Sequence, residues 1–330
     1  TENTSITQSN IMHTSKSDSS KHELKNVEIS ALDAVRVDKT NPTKTASSVS
    51  TEQPEAATGS KRRTDNLIAY IPEHEMEKSE FIRRDFTPDL IEQYPTGNFS
   101  PRTVKNTSWE IGEHLVFDLT YSFYNAGTAT MSVIGSEWVN GGECYHIQTT
   151  ARSNDFISAF YKVRDQVDSY IDKKGIFSRR LEKRLREGGY ESDRFVDFYH
   201  DRLLALNTKE KYAITNIPVY VQDILSSLYY IRTLDLDVGK TKEIEVYADG
   251  QVYTLKVIVH KKEKIEVPAG KFTCYKVEPV LKSEGLFRQK GRLHVWLTDD
   301  QYKVPVKMTS KVVIGSIASK LISYQTGIAQ

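Results

Sequence analysis

Residues 244–259, with the sequence IEVYADGQVYTLKVIV, decide the fold class of this chain. Apolar and polar side chains alternate along it, as Tyr253, Leu255 and Val257 do with Thr254 and Lys256. A period of two is typical of a strand with one buried face. The Asp-Gly pair at positions 249–250 favours a two-residue turn between two such strands. The stretch therefore predicts an antiparallel hairpin.

The same alternation recurs on both sides of this hairpin, at residues 115–121, 161–171 and 292–297. Turn signals separate such stretches at short intervals, and their spacing predicts about 12 strands. So many strands cannot form a flat open sheet. We expect an all-β fold with a large curved antiparallel sheet, or an open barrel-like meander, and the pattern does not decide whether the sheet closes. The concave apolar face of such a sheet is an expected ligand site.

One segment departs from the strand pattern. Val221, Leu225 and Leu228 recur at helical spacing and Pro218 stands where a first helical turn tolerates proline. This predicts one amphipathic helix near residues 218–232 that packs on the sheet. Ile317 and Leu321 fit either a final strand or a short helix.

The N-terminal third differs in composition from the rest. Residues 1–60 contain 20 Ser or Thr and no aromatic residue, so we expect a disordered tail. Residues 61–107 are predicted to be a linker with short docking elements, such as residues 86–94. These would lie on the domain surface or bind an envelope protein partner. Residues 108–330 form the predicted antiparallel β-domain.

The overall composition excludes several classes of protein. The chain has 330 residues with 45 Lys or Arg and 44 Asp or Glu, so no general attraction to nucleic acid is expected. No apolar run approaches the roughly 20 residues of a membrane-spanning helix, and we predict no transmembrane segment. Two cysteines exclude a disulfide scaffold. The numbering starts at Thr1 without an apolar leader, which is expected if a signal peptide has been removed or the chain has been trimmed.

Several short motifs follow one another in a characteristic order. They include WEIGE at 109–113, NAGTA at 125–129, FYKVRD at 160–165, VPAGKF at 267–272 and VWLTDD at 295–300. The ordered set resembles the bacterial exported family named domain of unknown function 3108, over about residues 109–325. The resemblance implies an exported, mainly antiparallel β-domain in the periplasm or cell envelope of a Gram-negative bacterium. It implies no activity, catalytic residue or cofactor.

The most unusual local feature is a run of seven basic residues within 173–186, interrupted by a single acid, Glu182. In a strand, Arg180, Arg184 and Arg186 share one face. Guanidinium groups bind phosphate or carboxylate bidentately, which suits an anionic head group. The alternative is a solvated face or an edge strand protected by charge. The candidate ligand-binding residues are Arg180, Arg184, Arg186, Arg164, Tyr190 and Trp296.

Other polar residues favour structural roles. Arg164 shares a strand face with Asp168 and Asp172, which indicates an Arg–Asp cross-strand network rather than acid–base chemistry or calcium binding. The eight histidines form no metal-type pair along the chain, so no metal or cofactor is expected. Cys144 and Cys274 fit either a disulfide or two buried thiols, and we expect the thiols.

These observations lead to three hypotheses of function. The first is an exported cell-envelope binding module without catalysis, whose amphiphilic or anionic ligand is a lipid, lipoprotein or glycan. The second is a structural or interaction protein of the envelope, tethered through its long N-terminal tail. The third, a glycan-active enzyme, requires two carboxylates about 5–10 Å apart in a pocket.

Overall fold

A computed structural model describes residues 68–70, 91–92, 94–207, 212–282, 292–311 and 316–327. The predicted disordered tail, residues 1–60, lies outside the described residues. So does most of the predicted docking element at 86–94.

The described residues form fifteen strands, two whole α-helices and one short 3-10 helix at His200–Arg202, and Ile91 and Glu92 are also helical. The first nine strands are β1 (Ile68–Tyr70), β2 (His114–Tyr121), β3 (Tyr124–Val139), β4 (Gly142–Ser153), β5 (Arg164–Asp172), β6 (Ser178–Glu187), β7 (Tyr190–Tyr199), β8 (Leu204–Asn207) and β9 (Tyr212–Thr215). The last six are β10 (Thr241–Ala248), β11 (Gln251–Val267), β12 (Gly270–Lys282), β13 (Leu293–Thr298), β14 (Pro305–Lys311) and β15 (Ser316–Gln325). The helices are α1 (Asp155–Ser158) and α2 (Ile224–Thr233).

All fifteen strands belong to one antiparallel sheet, which confirms the predicted fold class. Strands β2 to β9 form one meander and β10 to β15 another, and the pairing of β15 with β2 joins them. The strand count exceeds the expected figure of about 12 because β1, β8 and β9 are only three or four residues long. The ladder is open, with β1 and β10 at its two edges among the described residues.

The hairpin of β10 and β11 has the predicted two-residue turn. Asp249 and Gly250 have φ values of 46° and 83°, and the strands pair without a register shift from Ala248 and Gln251 onward. A type I′ turn needs positive φ at both central residues, and Asp-Gly adopts it at low cost. The final segment is strand β15, which decides between the two alternatives for residues 317–322.

Helix α2 starts later than Pro218, at Ile224. Its N-cap is Asp223, whose carboxylate accepts from the backbone N–H of Ser226, while the Ser226 hydroxyl accepts from the Asp223 N–H. Residues 219–220 before it form a turn, and Gln222 bridges to β10, where its N–H donates to Glu245 O and its carbonyl oxygen accepts from Tyr247 N–H. This tertiary pairing with the β10 edge excludes helix before the cap, although the local apolar spacing favours it.

The inner face of the sheet wraps around α2. The Asp223 carboxylate accepts hydrogen bonds of 2.6 Å from both Ser169 on β5 and Ser178 on β6. At the other end of α2, Arg232 forms a bidentate pair of 2.8 and 2.5 Å with Glu113, and both side chains are fully buried. Polar contacts at both ends therefore fix α2 inside the curved sheet.

Trp109 packs in the interior between α2 and β4. Its ring lies 4.8 Å from the ring of Tyr145 and 5.0 Å from that of Tyr229, and its indole N–H donates to Tyr229 O. Together with α2, Trp109 fills the part of the interior nearest the β5–β6 turn.

Part of the predicted linker lies against the domain. The Arg102 guanidinium donates to the carbonyl oxygens of Gly175 and Ile176, at 2.8 and 3.1 Å, and Val104 N–H donates to Lys174 O. Residues 102–104 thus lie against the β5–β6 turn, and Gly97 N–H donates to Asp201 O in the 3-10 helix.

Candidate functional site

A trough lies on the inner face of the sheet, between β2–β5 on one side and β14–β15 on the other. It holds a cavity of about 40 Å³, which is part of a wider space of about 500 Å³ that includes open solvent. Its walls are mostly apolar because these strands direct alternate side chains inward. The lining residues are Phe117, Leu119, Ala129, Met131, Thr149, Thr150, Ala151, Asp165, Val167, Met308 and Ser319.

Few polar atoms face this space. The Thr149 hydroxyl donates to Thr130 O, and the Asp165 carboxylate accepts from the backbone N–H of Arg186 at 2.8 Å. The Ser319 hydroxyl is buried and has no hydrogen-bond partner among the described residues. A buried hydroxyl without a partner costs stability unless a ligand or water satisfies it. Among the described lining residues, Ser319 is thus a buried polar group whose hydrogen-bonding capacity is unused.

The number of carboxylates in the lining bears on whether the trough could hydrolyse a glycan. Asp165 is the one carboxylate among its described lining residues. Glycoside hydrolysis uses two carboxyl groups about 5–10 Å apart. The described lining offers mostly apolar walls and this single carboxylate.

The trough lies near the end of the sheet that carries the β2–β3, β4–β5 and β6–β7 connections. These share one end because neighbouring strands run antiparallel. The connections carry unusually exposed aromatic side chains, of which Phe123 is 96% exposed. The aromatic end, as we call this set, consists of Phe123, Tyr124, Phe156, Phe160 and Tyr190. Of this set, the sequence predicts only Tyr190 as a ligand-binding residue. The shared exposed position of the five side chains depends on the sheet topology, which no motif shows.

The predicted arginine row lies on the outer face of β6, and carboxylates on β5, β6 and β7 accept hydrogen bonds from it. Arg180 donates to Asp197 at 2.7 Å, and Arg184 donates to Asp168 at 2.9 Å. Arg186, further along, pairs with Asp193 at 2.7 Å. The row is therefore balanced by acidic partners within the fold.

Asp168 is the centre of this outer network. Its two oxygens accept from His146, Gln148, Gln166 and Arg184, at 2.7 to 3.0 Å. Burial alone would raise the pKa of Asp168, but these donors hold the pKa below its usual range. Burial likewise opposes the charge on His146, while Asp168 and Glu137 raise the pKa of His146 overall.

The expected Arg–Asp network is present with different arginines. Asp172 accepts from Arg179 at 2.8 Å and Asp168 from Arg184, whereas Arg164 donates to the carbonyl oxygens of Ser153 and Val163. Arg164 lies on the same strand face as the two aspartates, as the period of two predicts, but its hydrogen bonds go to backbone carbonyl groups.

Trp296 and Tyr190 lie apart from the arginine row. Trp296 is on β13, and six strands separate β13 from β6 in the sheet order. Its indole N–H donates to Glu263 at 2.8 Å, and the Lys276 and Lys307 ammonium groups lie 5.3 and 4.9 Å from its ring centre. Tyr190 is at the start of β7, in the aromatic end. The structure therefore does not bring the six candidate residues into one site.

The two cysteines are free buried thiols on β4 and β12. Burial raises the pKa of both Cys144 and Cys274 to about 12. They act as small apolar residues, as expected from the sequence.

The trough-bearing sheet matches one family model closely in extent. The model described as "Protein of unknown function (DUF3108)" matches residues 116–322. The chain belongs to the DUF3108 family. The match confirms the resemblance noted from the motifs, and its bounds span β2 to the middle of β15. No match was found among curated proteins.

Solved structures similar to this DUF3108 protein are distant in sequence. A beta-barrel-like protein of domain DUF1849 from Brucella abortus shares 13% identity, covers 69% of this chain and 100% of its own, and has a TM-score of 0.49. A candidate lipoprotein from Parabacteroides distasonis shares 13% identity over 68% of this chain and 100% of its own, with a TM-score of 0.31. A candidate exported protein from Bacteroides fragilis shares 13% identity over 69% and 100%, with a TM-score of 0.27.

No helix in the described part of the chain is both long and apolar enough to cross a bilayer.

Proposed function

We propose that this DUF3108 protein is an exported binding protein of the bacterial cell envelope that holds an amphiphilic molecule in the trough. The observation that carries the proposal is the apolar trough itself, whose lining contains a buried hydroxyl without a partner at Ser319. An alkyl chain is the natural occupant of such walls, because its transfer from water is worth about 0.8 kcal/mol per methylene.

The register of the strands supports a charged head group next to the apolar part. Val167 on the trough wall lies opposite Lys183 of β6, and Lys183 lies opposite Arg194 of β7. Directly opposite residues point to the same face of a sheet. The inner face thus passes from apolar walls to two cationic residues, although Arg194 also pairs with Asp249 at 2.5 Å. An anionic amphiphile would place its carboxylate or phosphate beside Lys183.

The aromatic end supports entry of the ligand into the trough from the end of the sheet that carries the β2–β3 and β4–β5 connections. Phe123, Phe156 and Phe160 surround the nearest end of the sheet and are more than half exposed. Large apolar side chains that remain exposed together commonly mark ligand or interaction sites. Export to a Gram-negative envelope is part of the proposal and rests on the family resemblance and on the names of the structural neighbours.

A substitution that fills the trough tests the proposal. Ala129→Phe would place a ring in the open space, whereas Ala318→Phe adds the same ring on the outer face of β15, next to the trough strand β2. The full chain is titrated with a fluorescent C18 polyene fatty acid. We expect saturable binding to the native protein and to Ala318→Phe, with at least a tenfold loss for Ala129→Phe, which is a difference of about 1.4 kcal/mol.

Circular dichroism and thermal unfolding of both variants verify that they are folded. Equal affinity of Ala129→Phe and Ala318→Phe would exclude the trough as the site, and no saturable binding to the native chain would overturn the proposed ligand class.

A further inference from the structure

Two histidines and a glutamate from three neighbouring strands come together on the outer face of β11–β13. The Nε2 atom of His260 lies 2.7 Å from Oε2 of Glu278, and Nε2 of His294 lies 3.9 Å from the same oxygen. One possible ligand atom from each residue lies within 4.8 Å of the other two. In the described part of the chain this is the one group of three His, Cys, Asp or Glu side chains close enough to hold an ion.

The fold brings these residues together through a β-bulge. The pairing of β11 with β12 shifts between Val259 and Lys261, so His260 is an extra residue without a partner in the ladder. A bulge redirects its side chain relative to regular alternation. Val277 on β12 lies opposite Val295 on β13. Because the strands are antiparallel, the next residues along, Glu278 and His294, are neighbours on the other face of the sheet. The sequence shows no metal-type spacing here, because the grouping depends on this bulge and on the register of three strands.

We propose that His260, Glu278 and His294 form a binding site for a divalent transition metal ion of the Zn²⁺ type. Imidazole nitrogen and carboxylate oxygen are the ligands that Zn²⁺ takes at about 2.0–2.2 Å. Two such ligands on a tetrahedral ion are about 3.3–3.5 Å apart, which follows from those bond lengths. The observed separations of 2.7 and 3.9 Å lie on either side of that value, so small side-chain rotations suffice. Three protein ligands leave a fourth position for water or another group.

The charges around the cluster set limits on its affinity. The Arg292 guanidinium lies 3.8 Å from Oε1 of Glu278 and opposes a cation there. Arg292 is 79% exposed in its side chain and can rotate into solvent when an ion binds. Oε2, which faces both histidines, is the oxygen that remains for the metal.

The site is independent of the trough. The cluster is on the outer face of β11–β13, whereas the trough is on the inner face of the sheet. Metal binding would link three consecutive strands of the second meander and stabilise them, because an ion bound only by the folded state shifts the unfolding equilibrium. This inference does not depend on the proposed function of the trough.

Competition with a chromogenic chelator measures the binding of Zn²⁺ to the full chain, prepared without a histidine tag. We expect one equivalent to bind and the thermal unfolding temperature to rise. Loss of an outer-shell partner alone costs about 10–100-fold in metal affinity, so His294→Ala and Glu278→Gln should each lower the affinity at least about tenfold. Co²⁺ in place of Zn²⁺ should give the intense visible absorption of tetrahedral coordination, and His294→Ala should abolish it.

His114→Ala is the matched control. His114 is an exposed histidine of β2 that bonds Ser132 and lies outside the cluster, so this variant should bind as the native chain does. The variants are compared at equal folded content by circular dichroism. An affinity that is unchanged by His294→Ala, or a chain that binds no Zn²⁺, would overturn the site; histidines in the N-terminal segment would then account for any residual binding.

Discussion

The buried His200 should make the domain lose stability in mild acid. Its Nε2 lies 2.7 Å from the carbonyl oxygen of Ser178, and its Nδ1 lies 3.2 Å from the backbone N–H of Tyr220. Nε2 must therefore donate and Nδ1 must accept, which defines one neutral tautomer. A second proton on Nδ1 would face an N–H group and would be buried among the rings of Phe99 and Phe177.

The size of this loss in unfolding free energy follows from the pKa of His200. Burial lowers the pKa of His200 to about 4, and the charges of Arg179 and Arg102 act in the same direction, against the Ser178 carbonyl and Asp172. The unfolded chain has the ordinary value near 6.5 and so binds the proton first as pH falls. The stability contributed by neutral His200 is thus fully present above about pH 6.5, and it is lost as the pH falls from about 6.5 to 4. The full difference is about 3 kcal/mol, of which about 2.5 kcal/mol is lost by pH 4.5.

Denaturant unfolding followed by tryptophan fluorescence at pH 7.0 and 4.5 measures this loss. Other groups titrate in the same interval, so His200→Gln serves as the reference, because glutamine can still donate to Ser178 O and has no proton to gain. The native chain should lose about 2–3 kcal/mol more than His200→Gln between the two pH values. The same loss in both proteins would refute the assignment of the neutral tautomer and of the lowered pKa.

Two further substitutions test the packing of the domain. Arg232→Met should destabilise by about 3–5 kcal/mol, because it leaves the fully buried carboxylate of Glu113 without its partner, and the double variant with Glu113→Leu should recover part of that loss in denaturant unfolding. Gly127→Ala should lower the unfolding temperature strongly, since its Cβ would overlap with the carbonyl oxygen of Arg152 and lie 2.8 Å from Ser153 Cα; an unchanged unfolding temperature would show that β3 and β4 can separate there.

The elements that the sequence predicted well are those that depend on local chemistry. The Asp249-Gly250 turn and the alternation on both sides of it need no distant contact, and both are present in the structure. The start of α2 depends instead on the pairing of Gln222 with the β10 edge, which local apolar spacing does not reveal. Prediction therefore succeeded for the strands and for the existence of the helix, and was less accurate for its first turn.

The candidate sites show the same division. A row of arginines on β6 is visible in the sequence, but its partners Asp168, Asp193 and Asp197 are on neighbouring strands and depend on register. The trough collects inward residues from six strands, and the metal cluster depends on the bulge at His260. Sequence reasoning expected an apolar concave face, but it could not say which inward residues leave space between them.

The position of the trough follows from how the interior is filled. A long curved sheet needs apolar groups along its whole inner face, but only one helix of ten residues enters it among the described elements. Asp223 and Arg232 fix that helix through buried polar contacts with β5, β6 and Glu113, at the end that Trp109 also occupies. The helix cannot move towards the other end without breaking these contacts, which would separate the buried Arg232–Glu113 ion pair and take the Ser169 and Ser178 donors from Asp223. The inner residues near Phe117 and Met308 pack into the same core at 0% and 7% exposure, and they leave a cavity of about 40 Å³ between the strands.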